Sequence, residues 1–195
     1  MIKNRISEIF YSIQGEGSLT GMPMVFIRFT GCNLSCDFCD EPTHHKMKYS
    51  LSDDELLAVV SEYPARSVYL TGGEPSMSDK NTLIRKLKSR GYFVAAETNG
   101  YRFANIAKAD HIVYSPKDWN RIKTHRSVKE MKCIVDRASD VRKLLSLTTK
   151  LPIFIQPKAG KKGVNRDAID FCVDLVKEHP QFRLSLQTHK LIGVR

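Results

Sequence analysis

Three of the chain's five cysteines, Cys32, Cys36 and Cys39, fall in the stretch TGCNLSCDFCDEPTHH, residues 30–45. Their C-x3-C-x2-C spacing offers three thiolates from one short loop, which suits a shared metal and neither a helix nor a strand. A structural zinc site would be closed and four-coordinate, with His44 or His45 as the fourth ligand. A 4Fe–4S cubane normally takes four thiolates, and one held by three keeps an iron open for an outside ligand. Zinc knuckles usually come as two C-x2-4-C pairs far apart in sequence. No second pair exists here, so the spacing favours a cluster with an open iron. Cys133 and Cys172 stand alone inside apolar runs and read as small buried hydrophobes.

The elements that must position this loop are legible from hydrophobic patterning. Apolar or β-branched runs at 24–29, 67–70, 92–97, 111–115, 132–135, 153–156 and 183–187 read as strands. Helical patterns lie between most of them. Ser52 and Glu55 form a capping box ahead of LLAVV, Ser78 precedes a helix ending at Gly91, and Asn165 precedes AIDFCVDLV. Alternation of this kind argues for parallel βαβ units. The residues of chemical interest follow strand ends: the cysteine loop after the first, TGGEP after the second, TNG, SPK, QPKAG and QTHK after later ones. Barrel-like α/β proteins assemble active sites from such loops. Seven strands and about five helices in 195 residues imply an incomplete, TIM-like βα barrel, since a full eight-fold barrel takes ~250 residues.

Composition is consistent with one domain over residues 1–195: 42% of residues are hydrophobic and 27% charged, enough for a single core. There is no apolar run of bilayer length, and MIKNRISEIF lacks the apolar centre of a signal peptide, so a cytoplasmic location is expected. In that compartment thiols stay reduced, which favours metal chemistry over disulfides. The net charge of +10 is concentrated in Lys117–Lys132 and Lys158–Arg166. Neither stretch carries interleaved aromatics or a nucleic-acid motif, and a solvated surface is preferred to a nucleic-acid partner.

With the cysteine loop, LTGGEP and the strand-end sites together, the chain resembles radical S-adenosylmethionine (SAM) enzymes. More narrowly, EIFYSIQGEGSLTGMPMVFIRFTGCNLSC, ETNG, SPK, QP and LSLQTHK resemble, in order and nearly end to end, the 7-carboxy-7-deazaguanine synthase family. That resemblance implies a carbon–nitrogen lyase that rearranges 6-carboxy-5,6,7,8-tetrahydropterin to 7-carboxy-7-deazaguanine with loss of ammonia, on the route to queuosine and related deazapurines. It implies a 4Fe–4S cluster on Cys32, Cys36 and Cys39, SAM on the open iron, an electron donor such as flavodoxin or ferredoxin, and a homodimer.

Carried over residue by residue, it places SAM against Phe38, Cys39, Asp40, Gly72, Gly73, Glu74, Ser115, Pro116, Lys117, Gln156, Pro157, Lys158 and Ala159. Lys158 replaces a smaller residue, and its backbone is expected to serve while its side chain points away. The pterin falls to Ile13, Gln14, Gly15, Glu16, Arg28 and Thr71, with Arg28 able to grip a carboxylate bidentately. Each has a plainer reading, a rim ion pair for Arg28 and a tight corner for QGEG. Trp119 reads as packing, and His189 and Lys190 either face the substrate or close the last strand. One position departs from the family pattern: Glu41 stands where threonine or serine helps bind Mg2+, leaving Glu41 or Thr43 as the candidate magnesium ligand. Two other readings remain open. An activating enzyme for a glycyl-radical partner would share the cysteine spacing but not need IQGEG and Arg28. A zinc-containing nucleic-acid binder would leave TGGEP, ETNG and SPK without purpose.

Overall fold

The structure is a computed structural model that describes residues 3–39, 41–123, 125–139, 141–160 and 165–195, with side chains for all of these except 42 and 43. Its strands are β1 (Asn4–Ile13), β2 (Pro23–Phe29), β3 (Tyr49–Leu51), β4 (Ser67–Gly72), β5 (Phe93–Thr98), β6 (His111–Tyr114), β7 (Val128–Val135), β8 (Ile153–Pro157) and β9 (Phe182–Leu184). The helices are α1 (Asp53–Ser61), α2 (Asn81–Ser89), α3 (Arg142–Leu145), α4 (Arg166–Glu178) and α5 (Thr188–Ile192). All nine strands form one curved sheet in the order β3-β1-β2-β4-β5-β6-β7-β8-β9. From β2 to β9 every pairing is parallel, while β1 runs antiparallel to both β2 and β3.

Side-chain alternation gives the sheet two different faces. Outward residues such as Val25, Ile27, Leu70, Val94, Ile112, Cys133 and Ile155 join Leu56, Val60, Leu83, Leu87 and Leu175 of the helices in the main core. The inner face carries a smaller apolar cluster of Met24, Phe26, Tyr69 and Ala95. Above that cluster the inner face turns polar, and the site begins there. The sheet stays open between β9 and the C-terminal part of β1, beyond its pairing with β3, yet the loop after β1 is laced to the segment after β9. Thr188 N donates to Gly15 O (2.9 Å), Gly17 N to Ser185 Oγ (2.9 Å), and Gln187 Nε2 to Glu16 Oε1 (2.7 Å). This is a partial barrel closed by side chains and loops rather than by a ladder. Among the described residues, no helix is long and apolar enough to cross a membrane.

The seven parallel strands expected from sequence are β2 and β4 to β9, but β1 and β3 were not expected. β1 turns Glu8 and Phe10 toward the cavity and Ile9 toward the main core, while an irregularity in register between Ile6 and Glu8 brings Ile6 to that same core; the break and the polar members conceal the period. β7 begins at Val128, four residues earlier than expected, for the same reason: Glu130 and Lys132 are charged residues pointing inward. The last strand stops at Leu184 instead of 187, because the chain leaves the sheet to bond the loop after β1, and QTHK leads into α5. Ser78 does not cap α2. Its hydroxyl accepts from Lys80 Nζ (2.6 Å), while Asp79 Oδ1 takes Asn81 N (2.9 Å). The Ser52–Glu55 capping box and the Asn165 cap of α4, whose Oδ1 accepts from Ala168 N (3.3 Å), are present as expected.

Candidate active site

One cavity of about 580 Å³ opens at the C-terminal ends of the parallel strands, within the range of small-molecule sites. Cys32, Cys36 and Cys39 line it together with Glu8, Arg28, Glu16 and Lys132. Ile13, Gln14, Phe38, Thr71, Gly72, Gly73, Glu74, Ser115, Lys117, Gln156, Pro157, Lys158 and Ala159 also line it, as do His189 and Lys190. Of the remaining candidates, Gly15 and Pro116 are not part of the lining. Gly15 is buried against His189 instead, where a Cβ would collide with that residue's backbone and ring. Asp40 and the side chain of Thr43 lie outside the described residues.

The cysteine loop is bolted to the loop after β4. Gly73 N donates to Phe29 O (3.1 Å) and Glu74 N to Gly31 O (2.8 Å), so TGGEP packs directly on the start of the loop. A Cβ on Gly73 would collide with the Gly31 carbonyl, which is a physical reason for glycine there. The Glu74 carboxylate is 2% exposed and accepts from Ser76 N (2.9 Å), Thr98 Oγ1 (2.7 Å) and Asn99 N (2.7 Å). Burial pushes its pKa up, and these hydrogen bonds pull against that. The side chain therefore ties the loops after β4 and β5 together. Asn99 Nδ2 continues the tie, reaching Asn33 Oδ1 (2.9 Å) and Cys32 Sγ (3.8 Å).

The three loop thiols are reduced and unpaired with one another. Among the described residues, no three His, Cys, Asp or Glu side chains are gathered closely enough to hold a single metal ion. A lone zinc with bonds of about 2.3 Å would require thiolates in mutual contact. A cubane asks for less, one thiolate on each of three separate irons, and three reduced thiols lining one cavity fit that donor set. Cys133 and Cys172 are buried, with burial pushing each thiol up to about 12, and Cys172 Sγ donates to Val135 O (3.7 Å). Protonated thiols of that kind make poor ligands. The Lys158 ammonium pairs with Asp136 (3.0 Å) and lies over the ring of Phe38, another residue of the cavity lining (5.6 Å). Trp119 packs against the main core.

Arg28 sits between two carboxylates. Its Nε is 3.3 Å from Glu8 Oε2 and its Nη2 is 3.2 Å from Glu41 Oε2. Glu8 also pairs with the Arg195 guanidinium, and both arginines lie over the Phe10 ring. Phe10 stacks on Phe26 (4.9 Å, 6°), which in turn meets Tyr69 (5.4 Å). The result is an aromatic floor with a guanidinium at its edge.

Sequence reasoning missed a second polar centre on that floor. The Lys132 side chain is 3% exposed, and its Nζ bonds Glu16 Oε2 and Glu97 Oε2, the latter at 2.8 Å. Tyr69 Oη donates to the same Glu97 oxygen (3.1 Å). Burial by itself would lower the lysine's pKa, but the two carboxylates hold it above the usual lysine range. Burial, then Glu97, pushes the Tyr69 phenol well above its ordinary value, which keeps it a donor. Glu130, one pleat below, accepts from Ser18 N and pairs with His111 (3.4 Å), fixing the loop that carries Glu16. The signal available in sequence was the pair of charges inside strand-like runs, Glu97 and Lys132.

Comparison with known proteins decides the family. A model of the radical SAM superfamily matches residues 26–147, from β2 through α3. The 7-carboxy-7-deazaguanine synthase of Bacteroides thetaiotaomicron is 45% identical over 191 residues, covering 98% of both chains. The chain belongs to the 7-carboxy-7-deazaguanine synthase family. The Haemophilus influenzae member is 38% identical over 97% of this chain and 93% of that protein. The crystal structure of QueE from Escherichia coli superposes with a TM-score of 0.77, at 27% identity, over 95% of this chain and 94% of that one. As a 7-carboxy-7-deazaguanine synthase family member the chain is a radical SAM enzyme, and membership implies a 4Fe–4S cluster and SAM.

Proposed function

We propose that this chain, as one radical SAM domain over residues 1–195, converts 6-carboxy-5,6,7,8-tetrahydropterin to 7-carboxy-7-deazaguanine with release of ammonia. The observation that carries the reading is a single cavity lined both by the three cysteines and by an arginine at the edge of an aromatic floor. Cys32, Cys36 and Cys39 would hold the cluster, and the loops at 38–40, 72–74, 115–117 and 156–159 would hold SAM. When bound, these groups supply one-electron chemistry and a carbon radical able to take hydrogen from the substrate. The chain's own part is to bind, orient and exclude water. Arg28 takes the substrate carboxylate, a two-pronged match of fork to carboxylate. Phe10, Phe26 and Tyr69 support the flat ring, while Ile13, Gln14, Glu16 and Thr71 meet its edges.

Magnesium enters this reading through Glu41. In the structure its carboxylate takes one prong of the Arg28 guanidinium, Nη2, while Glu8 takes Nε, so a substrate carboxylate competes with both. A Mg2+ ion, which commonly takes one or two carboxylates, would draw Glu41 away and present the ion to the incoming carboxylate. A cytoplasmic flavodoxin or ferredoxin as electron donor and a homodimeric assembly complete the proposal. Anaerobically reconstituted protein given dithionite, SAM and the carboxytetrahydropterin should form the deazaguanine acid. A glycyl-radical-activating enzyme would form none and would cleave SAM only with its protein partner.

A further inference from the structure

The buried ammonium of Lys132 is not needed to hold a cluster, SAM or a carboxylate, yet it occupies the floor of the cavity. It lies on β7 at the inward register shared with Glu130 and Ile134, and it bridges Glu16 of the loop after β1 to Glu97 of β5. Groups facing it from the packed elements are few: Tyr69 of β4 on Glu97, Glu130 below, and Gln187, which donates to Glu16 (2.7 Å) and accepts from Lys190 (2.9 Å). Two carboxylates sharing such a site without a cation would repel, and one would take up a proton. A protonated carboxyl donates where an ionised one only accepts. The cation therefore determines which hydrogen-bond pattern the floor offers.

We propose that Lys132 is a specificity-determining positioning residue: by bridging Glu16 and Glu97 it keeps the cavity floor an acceptor surface, matched to the amino and ring N–H donors of a 2-amino-4-oxopyrimidine edge and mismatched to a 2-oxo edge. This rests on the pterin reading of the cavity. An exocyclic amino group can donate to a carboxylate, whereas a carbonyl at the same position places two acceptors face to face. A site built to bond a donor rejects the analogue lacking it, because two desolvated acceptors are then held face to face with no proton between them.

The test is fluorescence titration of anaerobically reconstituted holoenzyme with two unreactive probes, 6-carboxypterin and 6-carboxylumazine, between pH 6 and 8.5. Wild type should prefer the pterin by about tenfold or more, the scale of one hydrogen bond to a charged group, with little pH dependence. Lys132→Met should lose most of that preference at low pH and regain it as pH rises and the shared proton leaves the carboxylates. Lys132→Arg, which keeps the cation, should restore it at all pH values. An unchanged, pH-independent preference in Lys132→Met would overturn the proposal. Should that variant fail to fold or load its cluster, Glu16→Gln decides by the same titration: the preference must drop about tenfold, and an unchanged ratio overturns the proposal. Wild type that binds neither probe would instead overturn the pterin reading beneath it.

Discussion

Cys32, Cys36 and Cys39 line one cavity, whereas Cys133 and Cys172 are sealed in the core with thiols held protonated. Alanine at any of the first three should abolish the cluster's visible absorbance and turnover together, because two thiolates cannot hold a cubane. Alanine at either buried position should spare both, and loss of absorbance there would reassign the ligands. Arg28→Lys replaces a fork with a point charge, and carboxypterin affinity should weaken by ~1–3 kcal/mol while SAM affinity holds. Equal carboxypterin affinity in a calorimetric titration would remove Arg28 from the site. Glu41 links that arginine to magnesium. Glu41→Ala should tighten magnesium-free binding of carboxypterin, since one of the two carboxylates paired with Arg28 is gone, and raise the magnesium concentration needed for half-maximal turnover. Variant and wild type with the same magnesium dependence and the same affinity would show that Glu41 does neither.

Elements position these residues through close backbone contact, and the loop after β4 is the clearest case. Gly73→Ala drives a methyl into the Gly31 carbonyl and separates that loop from the cysteine loop. SAM affinity should fall on the order of tenfold, the scale of about 1–3 kcal/mol for an overpacked site. Gly91→Ala, at φ +81° with nothing nearby, should cost stability alone. SAM binding unchanged in Gly73→Ala would separate the two loops functionally. How far such elements were legible follows from their faces. The outward halves of β2 and β4 to β9 are continuous apolar runs and announce themselves, as do the caps at Ser52 and Asn165, which are local chemistry. β1, the first half of β7 and the Lys132 centre were hidden because their inner faces are polar for the site's sake. A charge inside a strand pattern looks like a solvent face until the sheet curls around it. The Glu41–Arg28 pair was equally unreadable, since it joins strand β2 to the end of the cysteine loop by tertiary packing and no local spacing encodes it.

At the scale of the whole molecule, an open parallel sheet gathers the loops following its strands over one polar, inward-facing floor, and the strap formed by residues 14–18 and 185–195 spans the gap that a missing strand would fill. That vessel carries both the three thiols and a guanidinium beside stacked aromatics. Their meeting in one cavity is the central claim: radical chemistry at the cysteines acts on a carboxylated pterin held by the arginine and the aromatic floor. The most direct measurement is the stoichiometry of an anaerobic reaction containing reconstituted protein, dithionite, SAM, Mg2+ and 6-carboxy-5,6,7,8-tetrahydropterin. 7-Carboxy-7-deazaguanine and ammonia should appear one for one over many turnovers, with neither formed by Cys32→Ala. Protein that carries its full cluster and binds SAM, yet releases neither product nor ammonia, would contradict the account.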